Sequence, residues 1–419
     1  MRPRACGGIA VPLLLLAWPI AVACGPSGGA TAGSTAAASD RDAVERGRYL
    51  VEGLLQCFIC HSERDWDRPG APPVDGRAGA GRVWSDDGTY RLIAPNLTPD
   101  EETGIGRWTD EQLERAIRHG IGHDGRVLSS AMWYRHFRHL SDADVAAVIA
   151  YLRSLEPVYN PLPRTALPSE EQARLDSQPP LPLKPVDLTS PDLVELGRGL
   201  VMLANCAGCH TGWEAPRTPG LLGGGNLLEG EHGRVSSTNL TPHTSGLSYS
   251  ADAFIALIRS GKGGTVHPFM PWIVFRNLSD ADLRAIHAFL QTVYPVAHYV
   301  DNHAAPTYCP VCGQEHGLGE MNRLERLEGI ALDPATYPRY VGNFYSEEYD
   351  FTLAVSVAEG RLVVSDDGDP AVEMIPLSSA RFVVPGEVAP LRFVFDANGH
   401  AVQVIFEEVE EVVLERADR

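Results

Sequence analysis

Two pentapeptides in the 419-residue chain have the residue types and spacing to do chemistry: Cys57-Phe58-Ile59-Cys60-His61 and Cys206-Ala207-Gly208-Cys209-His210. C-x-x-C-H is the attachment pattern of c-type haem. The two thiols add to the porphyrin vinyl groups, and the adjacent histidine lies under the iron as its proximal ligand. With only three fixed positions, one match can arise by chance. Two matches, each opening a similar stretch of chain, point to two covalently bound haem c groups.

A haem iron held by one histidine needs a sixth ligand or an open face, and that choice decides function. Methionine with histidine raises the potential and suits electron transfer. Met132 and Met270 stand in register, each five residues before a phenylalanine, Phe137 or Phe275, that opens a shared motif. That recurrence marks them as axial ligands rather than as the core filler methionine usually is. The competing ligands are His119, His123, His136 and His139 near Met132, and His243 and His267 before Met270. Bis-histidine ligation would suit peroxidase-like or reductive chemistry, but none of these histidines recurs in register.

A third pair, Cys309-Pro310-Val311-Cys312-Gly313, has no histidine directly after it and so is no further haem motif of this kind. It reads as a short disulfide in an oxidising compartment or, with His303 and His316, as a Cys2His2 site for one zinc ion. The segment resembles one rubredoxin-type knuckle.

The elements that must position these residues repeat. Apolar residues at helical spacing predict a helix from Asp40 into the first motif. Its segment Glu45-Arg46-Gly47-Arg48-Tyr49-Leu50-Val51 returns as Glu195-Leu196-Gly197-Arg198-Gly199-Leu200-Val201. Ser190 as N-cap and Pro191 at the first helical position predict the start of the second helix. A glycine inside a helix costs about 1 kcal/mol relative to alanine, so Gly47 and Gly197 call for close approach of another helix. Asn96-Leu97-Thr98-Pro99 matches Asn239-Leu240-Thr241-Pro242, and Phe137-Arg138-His139-Leu140-Ser141-Asp142-Ala143-Asp144 matches Phe275-Arg276-Asn277-Leu278-Ser279-Asp280-Ala281-Asp282. Thr109 to Gln112 has capping-box form, and Ser141 and Ser279 can cap the closing helices. Two tandem units follow, 41–158 and 188–297, joined by a proline-rich, extended linker over 159–187. A connector, 298–331, carries the third cysteine pair. From 332 to 419 the apolar period becomes two, in runs such as Phe351 to Val357 and Val402 to Phe406, and predicts antiparallel strands.

Charge and targeting bound the setting. A net charge of −19 argues against nucleic acid as a partner. Arg2 and Arg4, a proline-broken apolar run and Ala21-Val22-Ala23 form an export signal over 1–23. Cys24 and a small-residue tether over 24–40 follow, an arrangement that resembles a lipoprotein box. Ordinary release after cleavage is the alternative to lipidation of Cys24. Either route leads out of the cytoplasm, to the periplasm, with a lipid anchor as the one membrane attachment.

Both units resemble class I cytochrome c domains, and in particular those of the cytochrome subunits of bacterial membrane-bound alcohol, aldehyde and gluconate dehydrogenases. The resemblance lies in the glycine-bearing helix, the C-x-x-C-H motif, Pro95 to Pro99 with Thr103 to Trp108, the methionine, and the Phe-Arg-x-Leu-Ser-Asp-Ala-Asp segment. It implies two all-α haem domains. Cys57, Cys60, His61 and Met132 would hold one haem, and Cys206, Cys209, His210 and Met270 the other. It also implies that Gly47 packs on the helix of Tyr151 and Gly197 on that of Phe289. Those subunits carry three such units and a membrane anchor, whereas this chain has two and a different C-terminus. Tyr340 to Tyr345 with Pro376 to Phe382 resembles the small β-barrel-like domain appended to some serine hydrolases of the β-lactamase type, here read as a docking or capping module.

The expectation is an exported di-haem cytochrome that relays electrons between protein partners: a dehydrogenase, a quinol-oxidising complex or a terminal oxidase. An electron carrier, or an electron-transfer subunit of an oxidoreductase, fits better than a catalyst. The alternatives are a di-haem peroxidase or sulfur-compound oxidase with one open or histidine-bound haem, and a haem-based sensor read out by the β module.

Overall fold

The computed structural model describes residues 32–178, 180–213, 219–230, 232–262, 267–324, 327–366 and 369–417; the predicted signal segment and Cys24 lie outside them. The first unit comprises α1 (Ala32–Tyr49), α2 (Cys57–Cys60), strands β1 (Arg82–Asp86) and β2 (Arg91–Ala94), α3 (Asp110–His119), α4 (Tyr134–Phe137) and α5 (Asp142–Arg153). After α6 (Ser169–Asp176), the second repeats that order as α7 (Leu193–Leu203), α8 (Cys206–His210), β3 (Leu227–Gly230), β4 (Gly233–Ser236), α9 (Ala251–Ser260), α10 (Trp272–Phe275) and α11 (Asp280–Leu290).

Four expectations need correction. Helix α1 begins at Ala32, inside the segment expected to be tether, and passes through a π-helical stretch, Leu50–Leu54, before the first motif. Helix α7 is capped by Asp192, not Ser190, because the Asp192 carboxylate accepts from the amides of Val194 and Glu195. The haem units are not purely helical, since each carries an antiparallel hairpin between its motif and its Asn-Leu-Thr-Pro segment. The proline-rich linker holds the short helix α6 and is pinned to the first unit by the paired backbones of Ala166 and Arg91.

The glycines do what their position demands. A Cβ on Gly47 would lie 1.9 Å from the Ala147 carbonyl oxygen and 2.7 Å from Tyr151 Cβ; one on Gly197 would lie 1.9 Å from the Ala285 oxygen and 2.9 Å from Phe289 Cβ. First and last helix of each unit therefore touch backbone to side-chain root. Thr109 forms the full capping box with Gln112, and Ser141 and Ser279 cap α5 and α11 through the amides of Asp144 and Asp282.

The two units share one apolar core, running from Leu50 and Leu54 through Leu200 and Leu203 to Leu278 and Phe289. Polar contacts seal the seam. The Tyr49 hydroxyl donates to Asp282 and accepts from the Ser279 amide at 2.8 Å, and Asn277 Nδ2 donates to the Glu52 carbonyl at 2.9 Å. Gln56 Nε2 donates to the Ala204 carbonyl at 2.8 Å, a buried bond between the residues leading into the two motifs.

The connector forms a hairpin of β5 (Pro306–Tyr308) and β6 (Glu315–Gly317). The C-terminal sheet has nine strands: β7 (Gly342–Ser346), β8 (Phe351–Ala358), β9 (Arg361–Asp366), β10 (Val372–Glu373), β11 (Ile375–Pro376), β12 (Arg381–Val383), β13 (Leu391–Phe395), β14 (Ala401–Phe406) and β15 (Val412–Arg416). Their order is 10-9-8-7-15-14-13-12-11, antiparallel throughout. The two edge strands are one continuous stretch of chain, so the sheet is a nearly closed barrel with protected edges. Its interior is filled by Tyr340, Phe344, Phe382 and Phe393 in edge-to-face contact.

The barrel docks on the haem units through a buried cation. Arg138, 1% exposed, pairs with Glu348 at 3.0 Å and with Glu410. His139 Nε2 lies 3.1 Å and Lys184 Nζ 3.4 Å from Glu410. Burial pushes the Glu410 carboxyl up, but the hydrogen bond from His139 and the charges of His139, Arg138 and Lys184 outweigh it and hold it at about 2. Val388, Ala389 and Val409 join the haem-unit core. Among the described residues no helix is long and apolar enough to cross a membrane.

Two outcomes follow. Gly47→Ala and Gly197→Ala should each lose about 1–3 kcal/mol in thermal unfolding despite alanine's better helix propensity. Gly53→Ala, whose Cβ would meet Leu278 Cδ2 at 3.4 Å and Asn277 Cβ at 3.9 Å, both ordinary contacts, should stay within about 0.5 kcal/mol of the parent; equal effects at all three would refute the close crossing. Glu410→Gln should destabilise at pH 7 by on the order of 3 kcal/mol, since a carboxyl lowered on folding stabilises above its unfolded value. The gap between parent and variant should close as pH falls from 4.5, the ordinary value, toward 2; a gap independent of pH would show that the charge is not what matters.

Candidate functional site

Each motif begins with a residue in the left-handed region, Gln56 at φ 57° and Asn205 at φ 51°, where asparagine is among the residues best tolerated. The Asn205 side chain also accepts from the Gly208 amide at 3.1 Å. This break turns the chain from the long helix into a short one that presents both cysteines and then the histidine. None of the four cysteines is paired in a disulfide. Burial pushes Cys57 and Cys206 up to about 12 and raises Cys60 and Cys209.

Both histidines are buried, at 7% and 8% exposure, and burial lowers their pKa. His61 Nδ1 lies 2.8 Å from the Pro95 carbonyl oxygen and His210 Nδ1 lies 2.6 Å from that of Thr238. A carbonyl only accepts, so Nδ1 carries the proton and Nε2 is the bare nitrogen, available to a metal. This is the outer-shell bond that fixes a metal-binding imidazole.

The repeated Asn-Leu-Thr-Pro segment now has a reason. The accepting carbonyls belong to the residues just before Asn96 and Asn239. Asn96 Nδ2 donates to the Val158 carbonyl and Asn239 Nδ2 to that of Val296, both at 2.7 Å. Each asparagine Oδ1 accepts from the amide and hydroxyl of Thr98 or Thr241, and each threonine hydroxyl accepts from Val158 or Val296 at 3.0 Å. The network ties the histidine's partner to the end of the unit. Two glycines complete it. Gly81 donates its amide to the His61 carbonyl at 2.8 Å and Gly224 to that of His210 at 2.7 Å, both at positive φ and both without room for a Cβ beside the asparagine segment. Their role was missed in the sequence because single glycines among many carry no periodic signal.

Met132 and Met270 occupy matching turns. Their amides donate to Ser129 and His267, and their carbonyls accept from the amides of Tyr134 and Trp272 at 2.8 Å. Both methionines pack on the shared core. The rings of Tyr134 and Trp272 cover the helix-ending glycines Gly120 and Gly261, again without room for a Cβ. Four of the six competing histidines have other partners: His123 packs against Trp108, His139 bonds Lys184 and Glu410, His243 bonds Ser245, and His267 Nδ1 accepts from the Phe269 amide.

The residues of the third pair are placed differently from the expectation. Cys309, Cys312 and His316 come together, but His303 is exposed, its amide held in a turn by the Asp301 carboxylate. His298 takes its place.

The donor sets fit haem c: unpaired thiols, a histidine with a bare Nε2, and a methionine in the same turn of each unit. Comparison with known proteins accords with this. The Cytochrome c family model matches residues 44–156 and 194–294, just over half of the chain. The chain is 30% identical over 282 residues to the fructose dehydrogenase cytochrome subunit of Gluconobacter japonicus, covering 62% of this chain and 54% of that one. It is 31% identical over 262 residues to a diheme cytochrome c-type protein of Cereibacter sphaeroides, covering 57% of this chain and 81% of that one. To the cytochrome c subunit of the quinone alcohol dehydrogenase of Gluconobacter oxydans it is 28% identical over 299 residues, covering 66% of this chain and 60% of that one. The chain thus spans little more than half the length of the dehydrogenase subunits it matches.

Asn96→Ala and Asn239→Ala should each cost about 1–3 kcal/mol per buried group left without its partner, read as a lower unfolding midpoint. Unchanged midpoints would show that the asparagine network is not what fixes the accepting carbonyls.

Proposed function

The chain belongs to the cytochrome c family, and we propose that it is an extracytoplasmic di-haem electron carrier. In this reading Cys57, Cys60, His61 and Met132 hold one covalently attached haem, and Cys206, Cys209, His210 and Met270 hold the other. The haem irons supply a one-electron couple, and the protein supplies everything else. The observation that carries the reading is the duplicated proximal arrangement, with both histidines donating Nδ1–H to a backbone carbonyl held by the same asparagine and threonine.

The residues divide the work. The histidines, oriented through Nδ1, fix ligand basicity, and the methionines favour a high potential over an open site. The shared core excludes water and keeps the two sites at a set separation. The Gln56–Ala204 bond supports passage of electrons between the halves through a packed seam. The barrel, fixed on Arg138, serves as a docking or capping module. Relatives named as dehydrogenase cytochrome subunits support a dehydrogenase as the electron donor, with a quinol-oxidising complex or terminal oxidase as further partners. The export signal supports a periplasmic location, with Cys24 as the point of lipid attachment.

The test is spectroscopic. The oxidised protein should contain two haems and show the near-infrared sulfur-to-iron charge-transfer band. Met132→Ala and Met270→Ala should each remove about half of that band and lower one midpoint potential. A parent protein that lacks the band at one haem and binds cyanide readily would replace this reading with that of a di-haem peroxidase or oxidase.

A further inference from the structure

The connector carries a second, unrelated constellation that electron transfer does not use. His298, Cys309, Cys312 and His316 place their ligand atoms within 4.8 Å of one another. His298 and Cys309 are 0% exposed and His316 is 2% exposed. The four come from two short pieces of chain. Cys309 to Gly313 forms a tight knuckle in which the Gly313 amide donates to the Cys309 carbonyl and the Cys309 amide to that of Gln314, both at 2.9 Å. Strand β6 then brings back His316, and His298, the first residue of the connector, enters where the chain leaves the second haem unit.

The imidazoles decide what belongs between them. His298 Nδ1 lies 2.8 Å from the Gly223 carbonyl and His316 Nδ1 lies 3.1 Å from that of Gly317. Both Nδ1 atoms must therefore donate, which in the neutral rings leaves both Nε2 atoms as bare lone pairs. Those two atoms face each other at 3.2 Å. Two acceptors in a buried space repel unless a shared proton or a metal ion lies between them, and only a metal ion also accounts for the two sulfurs beside them. The sulfurs complete the figure, with Cys309 Sγ 3.5 Å from His298 Nε2 and Cys312 Sγ 3.4 Å from His316 Nε2. A tetrahedral zinc ion with bonds of about 2.05 Å to nitrogen and 2.3 Å to sulfur has edges of about 3.3 Å between nitrogens and about 3.6 Å between nitrogen and sulfur. These three separations match those edges, and all four ligand atoms lie within 4.8 Å of one another.

We infer that His298, Cys309, Cys312 and His316 form a closed, structural zinc site that closes the connector on itself beside the second haem unit. Four protein ligands leave no open position, which is the signature of a structural ion rather than a catalytic one. The site is also anchored to the haem unit. Gly223, which accepts from His298, precedes Gly224, which donates to the backbone of His210. Gly225 has no room for a Cβ against His298 and Cys312. Asn302 clamps Ser236 of β4 through both its amide and its carbonyl at 2.8 Å. The alternative is a Cys309–Cys312 disulfide, with the two facing imidazole nitrogens sharing one proton.

The experiment uses the full, haem-loaded chain purified after export. Elemental analysis should give one zinc per chain alongside two irons. Zinc-edge X-ray absorption, which does not see the haem iron, should give two sulfurs near 2.3 Å and two nitrogens near 2.0–2.1 Å. His298→Ala should lose the zinc and His303→Ala should keep it, both with the full haem count. A zinc shell without sulfur, zinc retained in His298→Ala, or a Cys309–Cys312 disulfide found by mass spectrometry in zinc-free protein would overturn the inference. So would fully reduced protein that fails to take up one equivalent of added zinc. The absorption result on the parent protein stands even if His298→Ala does not fold, and it is independent of whether the haems carry electrons.

Discussion

Everything in the haem units hangs on two helix crossings that leave no room for a methyl group. Gly47 and Gly197 let the opening helix meet the closing helix at the backbone. That contact sets where the opening helix ends, and the C-x-x-C-H motif begins at that end. It also sets where the closing helix ends, and the residues just beyond it, Val158 and Val296, anchor the asparagines that hold the histidine's carbonyl partner. One steric requirement therefore reaches His61 and His210 from both directions. The helix-propensity cost of a glycine is small beside what its absence of a side chain makes possible.

Much of this was legible in the sequence where the signal is local. Motif spacing picked out the two C-x-x-C-H turns that the fold builds alike, tandem repetition picked out the two stretches that match the cytochrome c family model, and capping residues such as Thr109, Ser141 and Ser279 located helix starts. Period-two alternation identified the barrel strands. What stayed hidden was decided by tertiary contact. The hairpins escaped because β1 exposes Val83 and Trp84 and shows no buried alternation. The N-cap moved from Ser190 to Asp192 because a carboxylate two residues on reaches two amides rather than one. His303 and His298 are equally plausible partners by spacing, and only the turn at Asp301 and the clamp at Asn302 decide which faces inward.

The buried Arg138 shows how the added barrel was accommodated. Its counterpart in the second unit, Arg276, makes no comparable docking contact among the described residues, so the repeat has diverged at the position that faces the barrel. A cation removed from water is costly unless paired, and here Glu348 and Glu410 supply two carboxylates to one guanidinium. The arrangement makes the interface selective as well as stable, since a barrel lacking either glutamate would leave the charge unmatched.

The single core across both units has a kinetic meaning. If the halves were beads on the proline-rich linker, transfer between them would depend on how often they met, and salt or viscosity would change its rate. With Leu50, Leu203 and Leu278 in one apolar mass, the separation of the two sites is fixed when the chain folds. The internal step then becomes a constant of the molecule. Ionic strength acts only on encounters with other proteins, where a net charge of −19 steers the approach.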